Sequence, residues 1–133
     1  MIVIGEGVCE WVAPRTGGQY YGGGVGIGIE KDGALIAGVI FDQCNGRSIN
    51  MHVAAISGKR WMTKEFLHLC FSYPFDQLKV NKIIISVDSA NTEAYAFDKH
   101  CGFTDEHTIT DAGNLADLHI LSMTRQQCRF LKD

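Results

Sequence analysis

The stretch that decides the fold runs from Ser57 to Phe103. It opens with Ser-Gly-Lys-Arg-Trp-Met-Thr at 57–63, continues through the apolar run Ile-Ile-Ile-Ser-Val at 83–87, and closes with Asn-Thr-Glu-Ala at 91–94 and Cys-Gly-Phe at 101–103. Helical and strand patterns alternate along it, with a basic, glycine-containing turn before the first helix. A helix N-terminus carries unpaired backbone N–H groups and a partial positive charge, which favour a bound phosphate or pyrophosphate. The stretch therefore predicts nucleotide or coenzyme binding.

Two helices and a strand are expected within this stretch. Apolar residues at helical spacing predict a helix over 61–73 that ends at Pro74. The run at 83–87 lacks alternation, which is typical of a strand covered on both faces. A second helix is expected after Asn91, with Gly102 at its C-cap.

Glycine-containing turns divide the rest of the sequence into strands. Asp32-Gly33 and Asn45-Gly46 are typical of tight turns, because Asn, Asp and Gly tolerate positive φ. The capping-box pattern that begins at Thr124 predicts a short terminal helix over 125–130. The remaining predicted strands are 2–8, 25–30, 34–41, 48–54, 103–109 and 118–123.

This sequence resembles the GNAT superfamily of acyl-coenzyme A-dependent N-acyltransferases, of the small bacterial or phage type. Asn91 and Ala94, followed by the pair Gly102-Phe103, match one family signature at its spacing. The other signature, Arg/Gln-x-x-Gly-x-Gly/Ala, is altered here, because Ser57, Arg60 and Met62 stand at its three defining positions. The resemblance implies an α/β fold in which helices flank a mixed, mainly antiparallel sheet. A length of 133 residues predicts one domain, 1–133.

The resemblance also implies acetyl-coenzyme A as co-substrate. The turn would hold the pyrophosphate with the help of Lys59 and Arg60, and the strand before it would bind the pantetheine through its backbone. Asn91 would contact the pantetheine or cap its own helix, and the two roles are compatible. Trp61 would cover the coenzyme or pack on a neighbour, and packing is the favoured interpretation. The candidate coenzyme-binding residues are Val53, Ala54, Gly58, Lys59, Arg60, Trp61, Met62, Thr63 and Asn91.

His52 and Asp98 are the candidate catalytic residues. Acylation of an amine needs a deprotonated nitrogen, and His52 is the only His on the strand that flanks the acyl group in the family. A hydrogen-bonded structural role is its alternative. Asp98 occupies the position of the family's acidic Tyr, which protonates the leaving thiolate, although a helical Asp there is most simply a solvated surface charge. Tyr95 lies about 300° of helix rotation away.

These residues predict an N-acetyltransferase that acts on a primary amine of an unknown acceptor, a protein or a small molecule. The alternative is a catalytically weak or inactive GNAT-fold module that binds coenzyme A or a protein. A third interpretation is the modification of a nucleic-acid base, but the sequence contains no basic patch in its favour. The formal net charge of −3 makes a nucleic-acid partner unlikely.

Composition points to an ordinary globular protein, with 46% hydrophobic and 20% charged residues. Five cysteines without a Cys-x-x-Cys pair predict neither a disulfide framework nor a metal site, and they favour a reducing cytoplasm. The N-terminus lacks the features of a signal peptide, and no apolar stretch approaches the length of a membrane span. We therefore expect no membrane partner.

A homodimer is also expected. The region 14–24 has room for little more than a loop, so the acceptor cleft would be open or completed by another subunit. Trp11, Tyr20 and Tyr21 would form an exposed aromatic cluster there, and such clusters often mark interfaces.

Overall fold

A computed structural model describes residues 1–131 and contains one seven-stranded sheet in the order β1-β2-β3-β4-β5-β7-β6. Neighbouring strands are antiparallel except β4 and β5, which are parallel. The predicted mixed, mainly antiparallel sheet is confirmed. The strands are β1 Ile2–Ile4, β2 Val25–Lys31, β3 Ala34–Asp42, β4 Ser48–Ala55, β5 Lys82–Asp88, β6 Thr104–Ile109 and β7 Leu118–Thr124.

Three α-helices cover the sheet. Helix α1 packs on one face, where its side chains contact Ile40 and Ala54, and α2 and α3 pack on the other face over the larger core. A π-helical turn with Pro74 inside it follows α2, and two 3₁₀ turns follow β7. The helical bounds are α1 Glu6–Arg15, α2 Lys64–Ser72, the π-helical turn Tyr73–Gln77, α3 Thr92–Cys101, and the 3₁₀ turns Arg125–Gln127 and Arg129–Leu131.

The predicted turn at Asp32-Gly33 and the second helix are confirmed, whereas Asn45-Gly46 lies in a five-residue loop, 43–47, in which Gly46 but not Asn45 has positive φ. Asp32 and Gly33 both have positive φ, at 54° and 81°, in the two-residue turn between β2 and β3. The Asn45 side-chain oxygen accepts hydrogen bonds from the backbone N–H groups of Arg47 and Ser48, each at 2.9 Å, where β4 begins. Asn91 caps α3 by accepting the N–H of Ala94 at 3.1 Å, and Gly102 ends the helix with φ of 112°.

The prediction of a first strand over Ile2–Val8 is wrong after Ile4. The carbonyl of Gly5 accepts the N–H of Val8 at 3.2 Å, and the chain enters α1 at Glu6. The apolar residues Val8, Cys9, Val12 and Ala13 then form one buried helical stripe. Trp11 therefore belongs to a helix, and the chain does carry a helix on the side that was expected to hold only a loop.

Glycines on β2 and β3 allow α1 to pack closely on the sheet. A Cβ atom at Gly26 would lie 2.8 Å from Cβ of Val8, and one at Gly38 would lie 2.7 Å from a methyl of Val12. Both distances are shorter than any relaxed contact, so only glycine lets the helix approach this closely. The alternating Gly pattern in the sequence was a usable signal for a closely packed helix.

The helix after β4 begins later than predicted. Gly58 has φ of 80° and lies in a turn closed by the Lys59 N–H and the Ile56 carbonyl at 3.4 Å. Thr63 then provides the N-cap, because its hydroxyl accepts the N–H of Phe66 at 3.2 Å. The segment between the turn and Thr63 is not helical.

Two further predictions are corrected. Strand β5 is not covered on both faces: Ile83, Ile85 and Val87 are buried, whereas Ser86 between them is exposed. The expected terminal helix is two 3₁₀ turns, because Cys128 adopts extended backbone and is fully buried between them. The predicted capping box at Thr124 is present.

Candidate functional site

A cleft opens where β4 and β5 separate. The two strands are paired only from Ser48 to Asn50 on β4, and beyond that point β5 pairs with β7 alone. The cavity that fills this gap measures about 1080 Å³, which is ample for a large organic ligand. The turn after β4, helix α3, the end of α1 and the loop between β6 and β7 form its walls.

The backbone of Val53 faces this cleft. Ile56 donates its N–H to Ile36 on β3 at 2.8 Å, and residues in an antiparallel ladder alternate between bonding to the partner strand and facing away. Two residues before Ile56, Ala54 therefore bonds to β3, while Val53 directs its N–H and C=O away from β3. Because β5 has diverged there, Val53 presents a free donor and a free acceptor to a ligand.

Most of the predicted coenzyme-binding residues lie together in the cleft, and two do not. Residues of β4, of the turn and of the α3 N-terminus share one wall, whereas the side chains of Arg60 and Thr63 lie outside the lining. Thr63 is already engaged as the α2 cap. The lining members of the predicted set are Val53, Ala54, Gly58, Lys59, Trp61, Met62 and Asn91.

Trp61 packs on neighbouring aromatic rings, as the favoured interpretation held. Its ring centroid lies 6.1 Å from that of Phe66 and 5.6 Å from that of Phe97. The indole bridges α2 and α3 while one edge lines the cleft. Trp61 thereby anchors the segment of the cleft wall that contains Lys59 and Met62.

His52 lies on β4 in the cleft and forms a pair with Asp42. The distance from His52 Nε2 to Asp42 Oδ1 is 3.0 Å, and both side chains are about one-third exposed. Asp42 on β3 is the diagonal cross-strand neighbour of His52, because Asp42 pairs with Asn50 and Ile40 with His52. The carboxylate fixes the ring orientation and leaves Nδ1 available for a ligand.

Asp98 is buried, which corrects the expectation of a solvated surface charge. Only 5% of the residue is exposed, and burial raises the pKa of its carboxyl to about 7. Asp98 also lines the cleft and a much smaller apolar cavity of about 20 Å³ beneath Trp61. Helix α3 turns this residue inward because it lies at i+4 from Ala94 and one position after Phe97, both of which pack on the core.

Tyr95 does not line the cleft, although it precedes Asp98 by only three positions on α3. Its hydroxyl donates to Asp105 Oδ1 at 2.7 Å, and its ring lies 4.7 Å from that of His119. The hydrogen bond to Asp105 raises the pKa of Tyr95. The acidic residues that α3 contributes to the cleft are the exposed Glu93 and the buried Asp98.

His52 and Asp98 approach the gap from opposite faces of the sheet. On β4, Met51 and Val53 pack toward α2 and α3, so the intervening His52 points to the face covered by α1. Asp98 comes from α3 on the other face. The two side chains therefore lie on opposite sides of the gap between the strands.

The sequence did not predict three side chains that line the cleft, those of Arg15, Asp88 and Asn114, or Asp42, the partner of His52. Asn114 Nδ2 donates to the carbonyl of Gly17 at 3.2 Å and links the β6–β7 loop to the end of α1. The Leu115 N–H donates to Asp88 Oδ2 at 2.6 Å, and such amide contacts lower the pKa of Asp88. The hairpin register was the available signal for Asp42, whereas Arg15, Asp88 and Asn114 meet only in the folded chain.

No cluster of three or more His, Cys, Asp or Glu residues within 1–131 could hold a metal ion. No disulfide joins the cysteines of residues 1–131; four are buried and Cys44 is exposed. Among residues 1–131, no helix has the length and apolar character needed to cross a membrane.

Comparison with solved structures identifies the fold. A probable acetyltransferase superposes with a TM-score of 0.67 at 19% identity, covering 79% of this chain, which spans 64% of that protein. A point mutant of the spermidine N-acetyltransferase SpeG from Vibrio cholerae gives 0.66 at 20% identity, covering 85% of this chain and 71% of that one.

The N-acetyltransferase PseH from Campylobacter jejuni, solved in complex with acetyl coenzyme A, gives a TM-score of 0.59 at 17% identity, covering 77% of this chain and 68% of that one. No protein-family model and no curated protein sequence matches the chain. At these identities the likeness shows the fold: the chain has the GNAT fold of these N-acetyltransferases.

Proposed function

We propose that this protein is an N-acetyltransferase that moves an acetyl group from acetyl-coenzyme A to a primary amine. One observation carries the proposal: β4 and β5 diverge around a cleft that His52 and Asp98 flank from opposite faces. The fold shared with N-acetyltransferases supports it, as does the acetyl coenzyme A bound by one of those proteins. The proposed domain comprises residues 1–133 and acts in the cytoplasm.

The coenzyme would lie along the wall formed by the turn and α3. The free C=O of Val53 would accept a hydrogen bond from an amide N–H of the pantetheine, as it would from a neighbouring strand, which leaves the Val53 N–H for the thioester carbonyl. Lys59, exposed and lining the cleft, would meet the pyrophosphate. The Asn91 side chain caps α3, and Asn91 would also contact the pantetheine because it lies at the cleft wall.

The reaction would proceed by direct attack of the amine on the thioester. The amine nitrogen forms a bond to the carbonyl carbon while His52 accepts the proton that nitrogen loses, and Asp42 holds the imidazole in place. The Val53 N–H would stabilise the charge that develops on the carbonyl oxygen. The carbon–sulfur bond then breaks, and the protonated Asp98 carboxyl supplies the proton for the leaving thiolate.

An assay of free thiol release tests this proposal. With acetyl-coenzyme A and a panel of primary amines, we expect one thiol for each acetylated amine identified by mass spectrometry. Hydrolysis without an acetylated product would contradict the proposal. Coenzyme binding without turnover of any amine would favour the alternative, a GNAT-fold binding module, which the altered signature at Arg60 and Met62 favours.

We also propose that the protein forms a homodimer, although the expected exposed cluster of three aromatic side chains is corrected. Trp11 packs against the smaller core and Tyr20 donates its hydroxyl to Glu6, so only Tyr21 is strongly exposed, at 88%. The support that remains is this exposed aromatic, and one neighbour in the comparison, the Vibrio cholerae spermidine N-acetyltransferase, is dodecameric. Light scattering is expected to give about twice the chain mass of 14.7 kDa, and a clean monomer would refute the dimer.

A further inference from the structure

The end of the cleft beneath α1 carries an arginine that the proposed chemistry does not use. Arg15 is the last residue of α1 and lines the cavity together with His52. Both residues lie on the α1 face of the sheet, which is the side from which an amine would reach His52. Arg15 therefore lies on the acceptor side of the proposed site.

The guanidinium of Arg15 is held in position without an ion pair. Its Nη1 donates to the carbonyl of Trp11 at 2.8 Å, and its Cζ lies 4.0 Å from the centroid of the Trp11 ring. Trp11 packs on the sheet, so the stacked guanidinium is fixed relative to β4. No carboxylate in residues 1–131 forms an ion pair with Arg15. Its remaining N–H donors are free to bind an anion.

The two carboxylates on the α1 face nearest this end of the chain's cleft, Asp88 and Asp42, are engaged by other groups and form no ion pair with Arg15. Asp88 uses both carboxylate oxygens on backbone N–H groups, those of Ala90 at 2.8 Å and Leu115 at 2.6 Å. The carboxylate of Asp42 is paired with His52. The last carbonyls of α1 are likewise satisfied, because Thr16 and the two residues after it donate to Val12, Ala13 and Pro14. A polycation would therefore meet the unpaired charge of Arg15 at this end of the cleft, whereas the exposed carboxylate of Glu93 lines the cavity from α3.

We propose that the acceptor is a primary amine that carries its own anionic group, a carboxylate or a phosphate, and that Arg15 binds this group while the amine faces His52. This inference rests on the proposed acetyl transfer for the identity of the site as an acceptor site. An arginine fork matches either anion in a bidentate manner. Polyamines such as spermidine, the substrate named for one structural neighbour, are disfavoured.

Calorimetric titration of matched ligand pairs tests the inference without requiring turnover. Alanine and alaninamide share a primary amine and differ in the carboxylate, and glucosamine 6-phosphate and glucosamine differ in the phosphate. Each ligand, and spermidine, is titrated into the full chain with and without coenzyme A. The preferred anionic member is expected to bind about tenfold more tightly than its partner, the low end for a charge-assisted contact at an exposed site. The pair that shows the difference identifies the anion.

Three variants separate the role of Arg15 from general electrostatics. Arg15→Gln is expected to abolish the difference within the pair, and Arg15→Lys to retain a part of it, because Lys keeps the charge without the fork. Arg47→Gln is the matched control, since Arg47 is exposed and lies outside the cavity, and it should behave as the parent. Circular dichroism of each variant confirms folding.

The inference is overturned if neither anionic amine binds at millimolar concentration, if both members of each pair bind equally, if spermidine binds best, or if Arg15→Gln leaves the difference intact. The proposed acetyl transfer fails separately. If anionic amines bind through Arg15 and no amine is acetylated, the anion site is supported and the proposed acetyl transfer is contradicted. If an amine is acetylated equally well by the parent and by Arg15→Gln, the transfer is supported and the anion site is contradicted.

Discussion

Replacing Asp98 by Asn is expected to stabilise the protein at high pH and to slow its reaction at low pH. The carboxyl is 5% exposed and lies among apolar side chains, so the native state disfavours its ionised form. Asn has nearly the same shape and cannot ionise. The substitution therefore removes the cost of a buried charge together with the proton that Asp98 would donate.

The magnitude follows from the pKa. Burial raises the pKa of Asp98 from 3.8 to about 7, and at 1.36 kcal/mol per unit this is about 4 kcal/mol. Below pH 3.8 the carboxyl is protonated in both the folded and the unfolded chain, so it carries no penalty. Between pH 3.8 and about 7 only the unfolded chain ionises, and the stability of the parent falls relative to the Asn variant. Above about pH 7 the advantage of the variant is constant, at up to about 4 kcal/mol.

Urea denaturation of parent and variant from pH 4 to 9 measures this directly. Asp105→Asn is the matched control on the next strand: its hydrogen bonds from Lys99 and Tyr95 lower the pKa of Asp105. That carboxylate contributes stability at neutral pH which is lost as pH falls through its lowered pKa, so the control should destabilise where Asp98→Asn stabilises. A stability difference for Asp98→Asn that does not change with pH would refute a buried carboxyl.

The same variant tests the role of Asp98 in catalysis. At pH 6 its kcat should be about 100-fold below that of the parent, within the usual range for loss of a general acid. The parent kcat should fall as pH rises through about 7, because Asp98 then loses the proton it donates, and the variant should lack this limb. A stabilised variant with unchanged kcat would show that Asp98 is structural.

His52→Ala is expected to lower kcat while the affinity for coenzyme A stays almost unchanged, and an unchanged kcat would assign proton removal to water or substrate. Acetyl-coenzyme A affinity should fall as salt rises, and Lys59→Gln should weaken it more than Arg60→Gln, because only Lys59 lines the cleft; equal effects in calorimetry would contradict this. Gly38→Ala should destabilise by about 1–3 kcal/mol, because its Cβ would lie 2.7 Å from a methyl of α1, whereas Gly7→Ala, which meets nothing within 4 Å, should not destabilise; similar losses in urea would refute the close packing of α1.

The sequence predicted those elements that local chemistry determines. Asp32-Gly33 requires positive φ at two consecutive positions, and Asn91 with Gly102 bounds a helix, so these turns and ends were recognisable without tertiary information. Helix α1 was missed because its apolar residues follow directly on a strand pattern. Its stability comes from packing on β2 and β3 rather than from propensity.

The candidate site was predictable in position and only partly in character. The resemblance placed His52 and Asp98 near the reacting group, and the fold brings both to the cleft. The burial of Asp98 depends on how Trp61, Phe97 and the sheet close around it, which no local pattern encodes. The contribution of Arg15 depends in turn on how α1 packs against β4.

Binding of acetyl-coenzyme A tests the central claim most directly. A ligand that binds only the native state raises the free energy of unfolding by about 2.7 kcal/mol at 100 times its Kd, which is a rise in Tm of about 10 °C for a chain of this size. We predict such a rise with acetyl-coenzyme A, accompanied by calorimetric saturation at one site per chain. An unchanged Tm and no heat of binding at millimolar acetyl-coenzyme A would contradict the assignment of the cleft to this co-substrate.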